Sequence, residues 1–489
     1  EEGVTTAELE KVAIEVWTTT SREQAQIIRS LVDDNFSSIY NIPVEVKLVV
    51  AGTLLPATLA GTGPDISMGS GQGDPVNYAI RSAVKSLNTL TGDTNVGYNF
   101  NDFSRWADNP IYSKFLDKID TFDEVTERFA EAAMVPITLY GETYALPETM
   151  NFPMMFYRKD IFAELGIEVP NTWEDFYDII YTLQANMLDM GVLPGGVAHA
   201  TIRMYQQNEQ LYDMGDYDRY LNLYRENGYT DDKLKELGYA YTNEDGVIIP
   251  KTDGMTINLD SDLALAAFKE ECELFTVYDF PYQYNLATRF RQGIMPIAIA
   301  DYSSTYNTLI VFAPEIKGLW EFTPLPGTPS IDGKINNTTV ASITAMIMMR
   351  SVTDDNALAA WTFMQWWTNA EVQSAYGNEM VALLGPSAKQ STANIEALTN
   401  MPWSKDEYDN LVAQFNAVIC TPEVPGSYIT GRYAGFAFLD VYNDGEESVD
   451  TMLSYIDDIN SELSRKRKEF GLPVAEDFKA FERKSGKSE

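Results

Sequence analysis

The first fifty residues alternate apolar and amphipathic segments in an order that constrains the fold strongly. Residues 12–17 are apolar and β-branched, residues 21–36 carry apolar side chains at helical spacing, and residues 43–50 alternate again. Strand, helix and strand in this order predict a βαβ unit, and therefore an α/β fold.

Two strand ends in this region are the first candidates for a binding site. Ser21 and Gln24 match a capping box, so a helix should begin at Ser21 and direct unpaired backbone N–H groups at residues 18–20. A second strand, residues 65–68, runs into a glycine-rich loop that lacks both the Gly-Lys-Ser/Thr and the dinucleotide spacing, which disfavours phosphate binding. Ligands of open α/β sheets bind beyond the carboxyl ends of strands, so both turns should face one cleft.

Length and charge exclude several classes of function. The chain has 489 residues, enough for two large lobes or up to three domains. Its 35 Lys and Arg against 72 Asp and Glu give a net charge of -37, which repels nucleic acid and anionic lipid surfaces. His199 is the single histidine, so His-rich metal sites are excluded and a Ser/His/Asp triad has one possible base. Cys272 and Cys420 are either free or form one bridge.

Residues 140–183 carry the most specific pattern in the chain. They read Gly, two polar residues, Tyr, a small residue and Leu-Pro, then an apolar-Tyr-x-Lys-Asp-apolar-Phe run, then Gly and a Pro-x-Thr-Trp-x-Asp helix start. Thr172 and Asp175 form a second predicted cap. This order resembles the first interlobe crossover of the extracellular solute-binding proteins of bacterial ABC importers, the maltose-binding-protein-like carbohydrate group.

Further stretches extend the resemblance over most of the chain: residues 61–69, 290–306, 319–329, 359–377 and 432–471. It implies an α/β, two-lobed periplasmic-binding-protein-like fold, each lobe a mixed sheet flanked by helices, with a hinge of two or three segments. Residues 185–255 match no motif of the family and contain a predicted Asp245-Gly246 hairpin turn. The expected lobes are residues 1–147 with 289–333, and residues 148–288 with 334–489.

The resemblance implies a substrate-binding subunit that captures an oligosaccharide between its lobes and delivers it to the permease subunits of an ABC importer. Aromatic residues form 12% of the chain, which suits stacking on sugar rings. The expected protein is a monomeric, extracellular lipoprotein, anchored at its N-terminus to the surface of a Gram-positive cell. It needs no cofactor or metal and is not an enzyme.

Two alternatives remain open: a receptor for a peptide or another polar solute, and a glycan-active hydrolase. A hydrolase needs two carboxylates about 5 to 9.5 Å apart, and no pattern singles out such a pair. A calcium loop from Asp93 is disfavoured because Tyr98 and Ser104 stand where an EF-hand has Gly and Glu.

The candidate ligand-binding residues lie at predicted strand ends, crossovers and one late helix. Trp361, Phe363, Met364, Trp366 and Trp367 are assigned instead to the core, because they fall on one predicted amphipathic helix. The candidates are Trp17, Thr19, Ser21, Arg22 and Glu23 at the first turn, Gly69, Ser70 and Gln72 at the second, Glu148, Met150 and Asn151 at the crossover, Asp301 and Tyr302 after the return strand, and Arg432 and Tyr433 at a helix start in the second lobe.

Overall fold

The chain divides into two compact units in a computed structural model that describes residues 3–193, 195–484 and 486. Unit 1 comprises Glu1–Asn151 and Ser342–Pro402, and unit 2 comprises Phe152–Ala341 and Trp403–Glu489. The chain therefore passes between the units three times, after residues 151, 341 and 402. The predicted α/β class with two lobes is confirmed.

Helices occur throughout both units, and short 3₁₀ segments supplement them. The α-helices are α1 Thr6–Val12, α2 Arg22–Leu31, α3 Ser37–Tyr40, α4 Leu54–Leu59, α5 Asp74–Ile80, α6 Phe122–Thr126, α7 Glu131–Met134, α8 Lys159–Leu165, α9 Trp173–Ala185, α10 Ala198–Tyr205, α11 Tyr217–Glu226, α12 Asp231–Glu236, α13 Asp262–Thr276, α14 Leu286–Gln292, α15 Tyr302–Phe312, α16 Ala357–Trp367, α17 Ala370–Leu384, α18 Ile395–Thr399, α19 Lys405–Phe415, α20 Tyr428–Asp444, α21 Ser448–Glu469 and α22 Ala475–Lys484. A π-helical segment, Val32–Phe36, continues α2.

Each unit contains one larger sheet and smaller two-stranded pairings. The strands are β1 Ile14–Thr18, β2 Val44–Leu48, β3 Ile66–Gly71, β4 Thr138–Leu139, β5 Glu142–Thr143, β6 Ala145–Asn151, β7 Pro153–Arg158, β8 Met190–Gly191, β9 Ala240–Thr242, β10 Ile248–Pro250, β11 Ile297–Asp301, β12 Trp320–Thr323, β13 Thr328–Pro329, β14 Ile335–Asn336, β15 Thr339–Val340, β16 Ser342–Met348 and β17 Val418–Ile419.

The sheet of unit 1 has the strand order β2-β1-β3-β16-β6. β1 runs parallel to β2 and β3, which confirms the βαβ unit predicted from the first fifty residues. β16 runs antiparallel to both β3 and β6, so a strand from late in the chain lies in the interior of this sheet. The carboxyl ends of β1 and β3 consequently lie side by side at one edge.

Both predicted capping boxes form. The Ser21 hydroxyl accepts the Gln24 N–H at 3.2 Å, and Gln24 Oε1 accepts the Ser21 N–H at 3.1 Å. α2 therefore begins at Arg22, with Ser21 as its cap. At α9 the Thr172 hydroxyl accepts the Asp175 N–H at 3.2 Å, and Asp175 accepts the Thr172 N–H at 2.9 Å. These local hydrogen bonds fix where each helix starts.

The core of unit 1 surrounds α16, whose residues are all buried. Trp361 is fully buried, and its ring stacks on Phe100 with centroids 4.8 Å apart. Its Nε1 donates to the Asp120 carbonyl at 2.9 Å. The assignment of this helix to the core is confirmed.

The sheet of unit 2 has the strand order β12-β7-β11-β8, and its composition corrects the expected lobe boundaries. β11, the return strand, pairs antiparallel with β7 in unit 2, so residues 289–333 do not belong to the first lobe. Residues 149–151 pair with β16, and residues 148–151 stay in unit 1, as do residues 342–402. An apolar strand pattern predicts burial but does not identify the partner strand, which is why the boundaries were misplaced.

A smaller core lies between the unmatched segment and the C-terminal helix. Tyr220, Tyr224 and Leu234 pack with Phe478 of α22. β9 and β10 form the predicted hairpin, with Gly246 at a φ of +76° that suits glycine. The fully buried Arg467 donates to the carbonyls of Pro473, Asp253 and Lys251, tying the end of α21 to this region.

The two cysteines are free and buried, so Cys272 and Cys420 form no bridge. None of the helices in the described part of the chain combines the length and apolar character needed to cross a bilayer.

Candidate functional site

A cavity of about 440 Å³ opens in unit 1 beside the carboxyl ends of β1 and β3. Helices α2 and α17 and the segment after α17 complete its wall. We call it the unit 1 cavity, and its lining comprises Thr18, Thr20, Gln24, Ile28, Met68, Gly69, Glu148, Thr149, Thr344, Trp367, Tyr376, Met380, Leu384, Ser387, Ala388, Lys389 and Gln390.

Glu148 connects two walls of this cavity. Its Oε2 accepts the Gly69 N–H at 2.6 Å, and its Oε1 accepts Nε1–H of Trp367 at 2.9 Å. Gly69 has a φ of +71°, a conformation that side chains rarely adopt, and this turns its N–H toward the carboxylate. The carboxyl therefore links β3 at Gly69 to the end of α16 at Trp367.

Burial strongly affects the ionisation of this carboxyl. Glu148 is buried, and desolvation raises its pKa to about 7, although the hydrogen bonds from Gly69 and Trp367 oppose the rise. Near neutral pH the protonated and the ionised forms of this carboxyl are therefore similarly populated. Because protein donors reach both of its oxygens, its first role is to hold the cavity wall in place.

Gln390 supplies an acceptor that the protein does not satisfy. Its Oε1 is buried, yet it accepts no hydrogen bond from the described residues. A buried acceptor of this kind costs free energy unless a donor reaches it. Gln390 lines the unit 1 cavity, so a ligand hydroxyl or N–H that reached this oxygen would remove that cost.

Aromatic rings form the apolar part of the same cavity. Trp367 and Tyr376 meet edge to face, with ring centroids 4.9 Å apart and planes at 63°. On the polar side, the hydroxyls of Thr149 and Thr344 are 2.6 Å apart. The lining therefore combines a buried apolar base with neutral hydrogen-bonding groups and the charged Lys389.

Of the residues predicted at the first turn, none lines the cavity, although their neighbours do. Thr18 and Thr20 line it, whereas Thr19 is exposed. Ser21 caps α2, and Arg22 and Glu23 are exposed on its first turn. The indole of Trp17 donates to Glu15 at 2.5 Å.

At the second turn and the crossover, Gly69 and Glu148 line the cavity and the other predicted residues have structural contacts. The buried Ser70 lies 3.2 Å from the Ser67 hydroxyl, and Gln72 Oε1 accepts the Ile343 N–H at 3.1 Å. Met150 is buried and its carbonyl accepts the Ser391 hydroxyl, while Asn151 ends β6.

Four predicted residues belong to unit 2, and none of them lines the unit 1 cavity. Asp301 is exposed, and desolvation nevertheless raises its pKa. The buried Tyr302 packs on Phe152 with ring centroids 4.6 Å apart. Arg432 and Tyr433 lie within α20, which begins at Tyr428, rather than at a helix start. Tyr433 packs on Tyr455 with ring centroids 5.9 Å apart.

Sequence reasoning missed most of the lining. Trp367 was assigned only to the core, and Tyr376 and Gln390 were not singled out. These residues reach the cavity from segments more than two hundred positions after Gly69, so no local spacing connects them. Among the described residues, no three His, Cys, Asp or Glu side chains are placed to hold a metal ion.

Comparison with known proteins agrees with this architecture. The profile of a family described as bacterial extracellular solute-binding protein matches residues 60–407. A putative binding protein of Brucella abortus is 33% identical over 110 residues, which are 21% of this chain and 26% of that relative's length. The chain thus matches about a quarter of the curated relative.

Solved structures share the fold at low identity. The sugar-binding protein MalE from the phytopathogen Xanthomonas citri is 16% identical, with a TM-score of 0.64 over 94% of this chain and 99% of that one. A cyclo/maltodextrin-binding protein complexed with maltotetraose is 14% identical, with a TM-score of 0.60 over 96% of this chain and 99% of that one.

Proposed function

This chain belongs to the bacterial extracellular solute-binding proteins, and we propose that it is the receptor subunit of an ABC importer for a neutral oligosaccharide. It captures the sugar outside the cell and delivers it to the permease subunits. The structural neighbours support this, because one is a sugar-binding protein and another is complexed with maltotetraose.

The observation that carries the proposal is the lining of the unit 1 cavity. Trp367 and Tyr376, both almost fully buried, form the apolar base of this cavity, and the lining Gln390 carries an Oε1 acceptor that no donor of the described chain satisfies and that a sugar hydroxyl could use. Its volume of about 440 Å³ falls within the ~300–1,000 Å³ of small-molecule sites. Gly69 and Glu148 shape the wall, and the other predicted ligand-binding residues remain predictions.

The finer features of the proposal rest on the family resemblance. The receptor acts as a monomer, carries an N-terminal lipid anchor and belongs to a Gram-positive cell. It binds without catalysis. A family of binding proteins supports the absence of turnover, and the experiment below examines it directly.

The test uses titration calorimetry against neutral oligosaccharides of glucose, xylose, mannose and galactose. With the sugar that binds most tightly, Gln390→Ala should raise Kd about fivefold or more, since a hydrogen bond of about 1 kcal/mol is lost. Its thermal stability should not fall, because the free protein loses an acceptor that had no donor. Chromatography of the same samples should recover the sugar intact.

Gln26→Ala is the matched control. Gln26 lies exposed on α2, outside the cavity lining, and its truncation should leave Kd unchanged. If no oligosaccharide of the panel bound the parent protein, or if a peptide library bound instead, the sugar receptor would be the wrong function. Shorter sugar products would make the chain an enzyme.

A further inference from the structure

Unit 2 contains a larger cavity of about 670 Å³. It lies between α15, the loop before β12, β12 itself and the start of α19, and it contains none of the residues predicted for ligand binding. We call it the unit 2 cavity. The residues that matter for its chemistry are Tyr306, Trp320, Phe322, Lys317, Asp406 and Glu407.

One wall of the unit 2 cavity is aromatic and held in place. The Tyr306 ring meets Trp320 and Phe322 edge to face, with centroids 5.8 and 5.6 Å away. Its hydroxyl donates to Glu407 Oε1 at 3.2 Å. Glu407 is itself fixed, because its Oε2 accepts the Ser404 N–H at 3.0 Å in the capping box of α19. The rings therefore form a preorganised apolar surface.

Some of the charged side chains around these rings already have partners within the protein, and two of them do not. Glu321 is occupied, because it pairs with Lys159 at 3.0 Å and accepts the Tyr157 hydroxyl at 2.9 Å. Lys317 and Asp406 are exposed, and within the described chain neither forms an ion pair or a side-chain hydrogen bond. One cation and one anion thus remain available to a ligand.

This arrangement selects the charge of a ligand. The lining carries two ammonium groups, on Lys159 and Lys317, and three carboxylates, on Glu321, Asp406 and Glu407, so its charges nearly cancel and favour neither a strong cation nor a strong anion. A neutral molecule with many hydroxyls suits both charges, because each hydroxyl can donate to a carboxylate and accept from an ammonium. Its C–H faces would cover the rings of Tyr306 and Trp320.

We propose that the unit 2 cavity is a second carbohydrate-binding site, separate from the unit 1 cavity. It binds part of a neutral oligosaccharide on Tyr306 and Trp320, with Lys317 and Asp406 holding its hydroxyls. The volume of about 670 Å³ lies within the ~300–1,000 Å³ of ligand pockets. The inference rests on the lining of unit 2 and not on the function assigned to the unit 1 cavity.

The test observes Trp320 directly in the full chain. All 8 tryptophans are replaced by 5-fluorotryptophan, and Trp320→Phe identifies the fluorine signal of that ring. Neutral tetrasaccharides of glucose, xylose, mannose and galactose are titrated, with spermidine and citrate as charged probes. We expect at least one tetrasaccharide to shift the Trp320 signal, and Asp406→Ala to weaken that response about tenfold.

Two variants separate this site from its surroundings. Asp409→Ala removes an exposed carboxylate from the same helix but outside the cavity, and should leave the response unchanged. Gln390→Ala, which weakens the unit 1 cavity, should also leave it unchanged. The proposal is overturned if no tetrasaccharide shifts the signal, if Gln390→Ala weakens the response as Asp406→Ala does, or if spermidine or citrate binds better than the sugars.

Discussion

Among single residues, Glu271 has an unusual environment. It is almost fully buried on α13, one of its oxygens accepts the Ala200 N–H at 3.2 Å, and Oε1 has no hydrogen-bond partner in the described chain. Desolvation raises the pKa of this carboxyl to about 8, against the effect of backbone N–H groups at the start of α10. A buried carboxyl with one unsatisfied oxygen is most stable when it is protonated.

This predicts a pH dependence that one substitution removes. The native state keeps the Glu271 proton between the ordinary pKa of 4.5 and about 8, whereas the unfolded state releases it. The free energy of unfolding should therefore fall as pH rises through that window. Glu271→Gln should flatten the fall by a few kcal/mol and make the variant more stable than the parent at pH about 8.

Urea unfolding at pH values across this window tests the prediction. The quantity to compare is the difference in the free energy of unfolding between the variant and the parent. The buried Glu148 titrates in the same window, so only this difference isolates Glu271. Glu273→Gln, a half-exposed carboxylate on the same helix, serves as the control and should keep the slope of the parent. A parent-like slope in Glu271→Gln would contradict the assignment.

Single residues also show why the site was only partly predictable. The turn after β1 lies at the edge of the sheet, as predicted. Successive side chains there point in opposite directions, so Thr18 and Thr20 line the cavity while Thr19 is exposed. Glu148 was selected from its place in the crossover, and its indole donor Trp367 comes from a helix that forms much later in the chain. Such pairs depend on tertiary packing and leave no local pattern.

Among the elements, α16 makes the clearest prediction about stability. Trp361 stacks on Phe100 and is fully buried, so Trp361→Ala should lower the free energy of unfolding by roughly 3 to 5 kcal/mol through the cavity it leaves. Tyr181→Ala is the control, because Tyr181 is 81% exposed on α9 and its removal should cost little. Denaturant unfolding of both variants measures the difference. Equal costs would mean that α16 is not the core of its unit.

Elements were predictable where their determinants are local and unpredictable where they are not. The capping boxes of α2 and α9 each depend on four consecutive residues, and both form. β11 pairs with β7, which lies more than 130 positions earlier in the chain. The apolar pattern of a strand does not indicate which strand it pairs with. The return strand was therefore identified as a strand but assigned to the wrong lobe.

For the whole molecule, the position of β16 predicts which fragments fold. β16 separates β3 from β6, and Ser342 lies directly opposite Asn151 across the antiparallel pair. Joining residue 151 to residue 342 by an Asn-Gly turn, and ending at residue 402, keeps all five strands of the sheet. We expect this chain to unfold cooperatively in urea, followed by circular dichroism.

Residues 1–151 alone form the matched comparison. They lack both β16 and the core helix α16, so β3 and β6 lose their shared partner, both expose unpaired edges, and the sheet loses the centre of its core. This fragment should show no cooperative transition. A transition in residues 1–151 that equalled that of the joined chain would show that residues 342–402 are dispensable.

The small core around Phe478 has a consequence for how this chain was assembled over time. Its ring lies with its centroid 4.6 Å from Tyr220 and 4.9 Å from Tyr224, so α22 covers these two rings of α11. A relative that had α11 without α22 would expose the tyrosine rings of α11 to solvent, and one that had α22 without α11 would expose Phe478. We therefore expect α11 and α22 to be inherited together, present or absent as a pair among relatives.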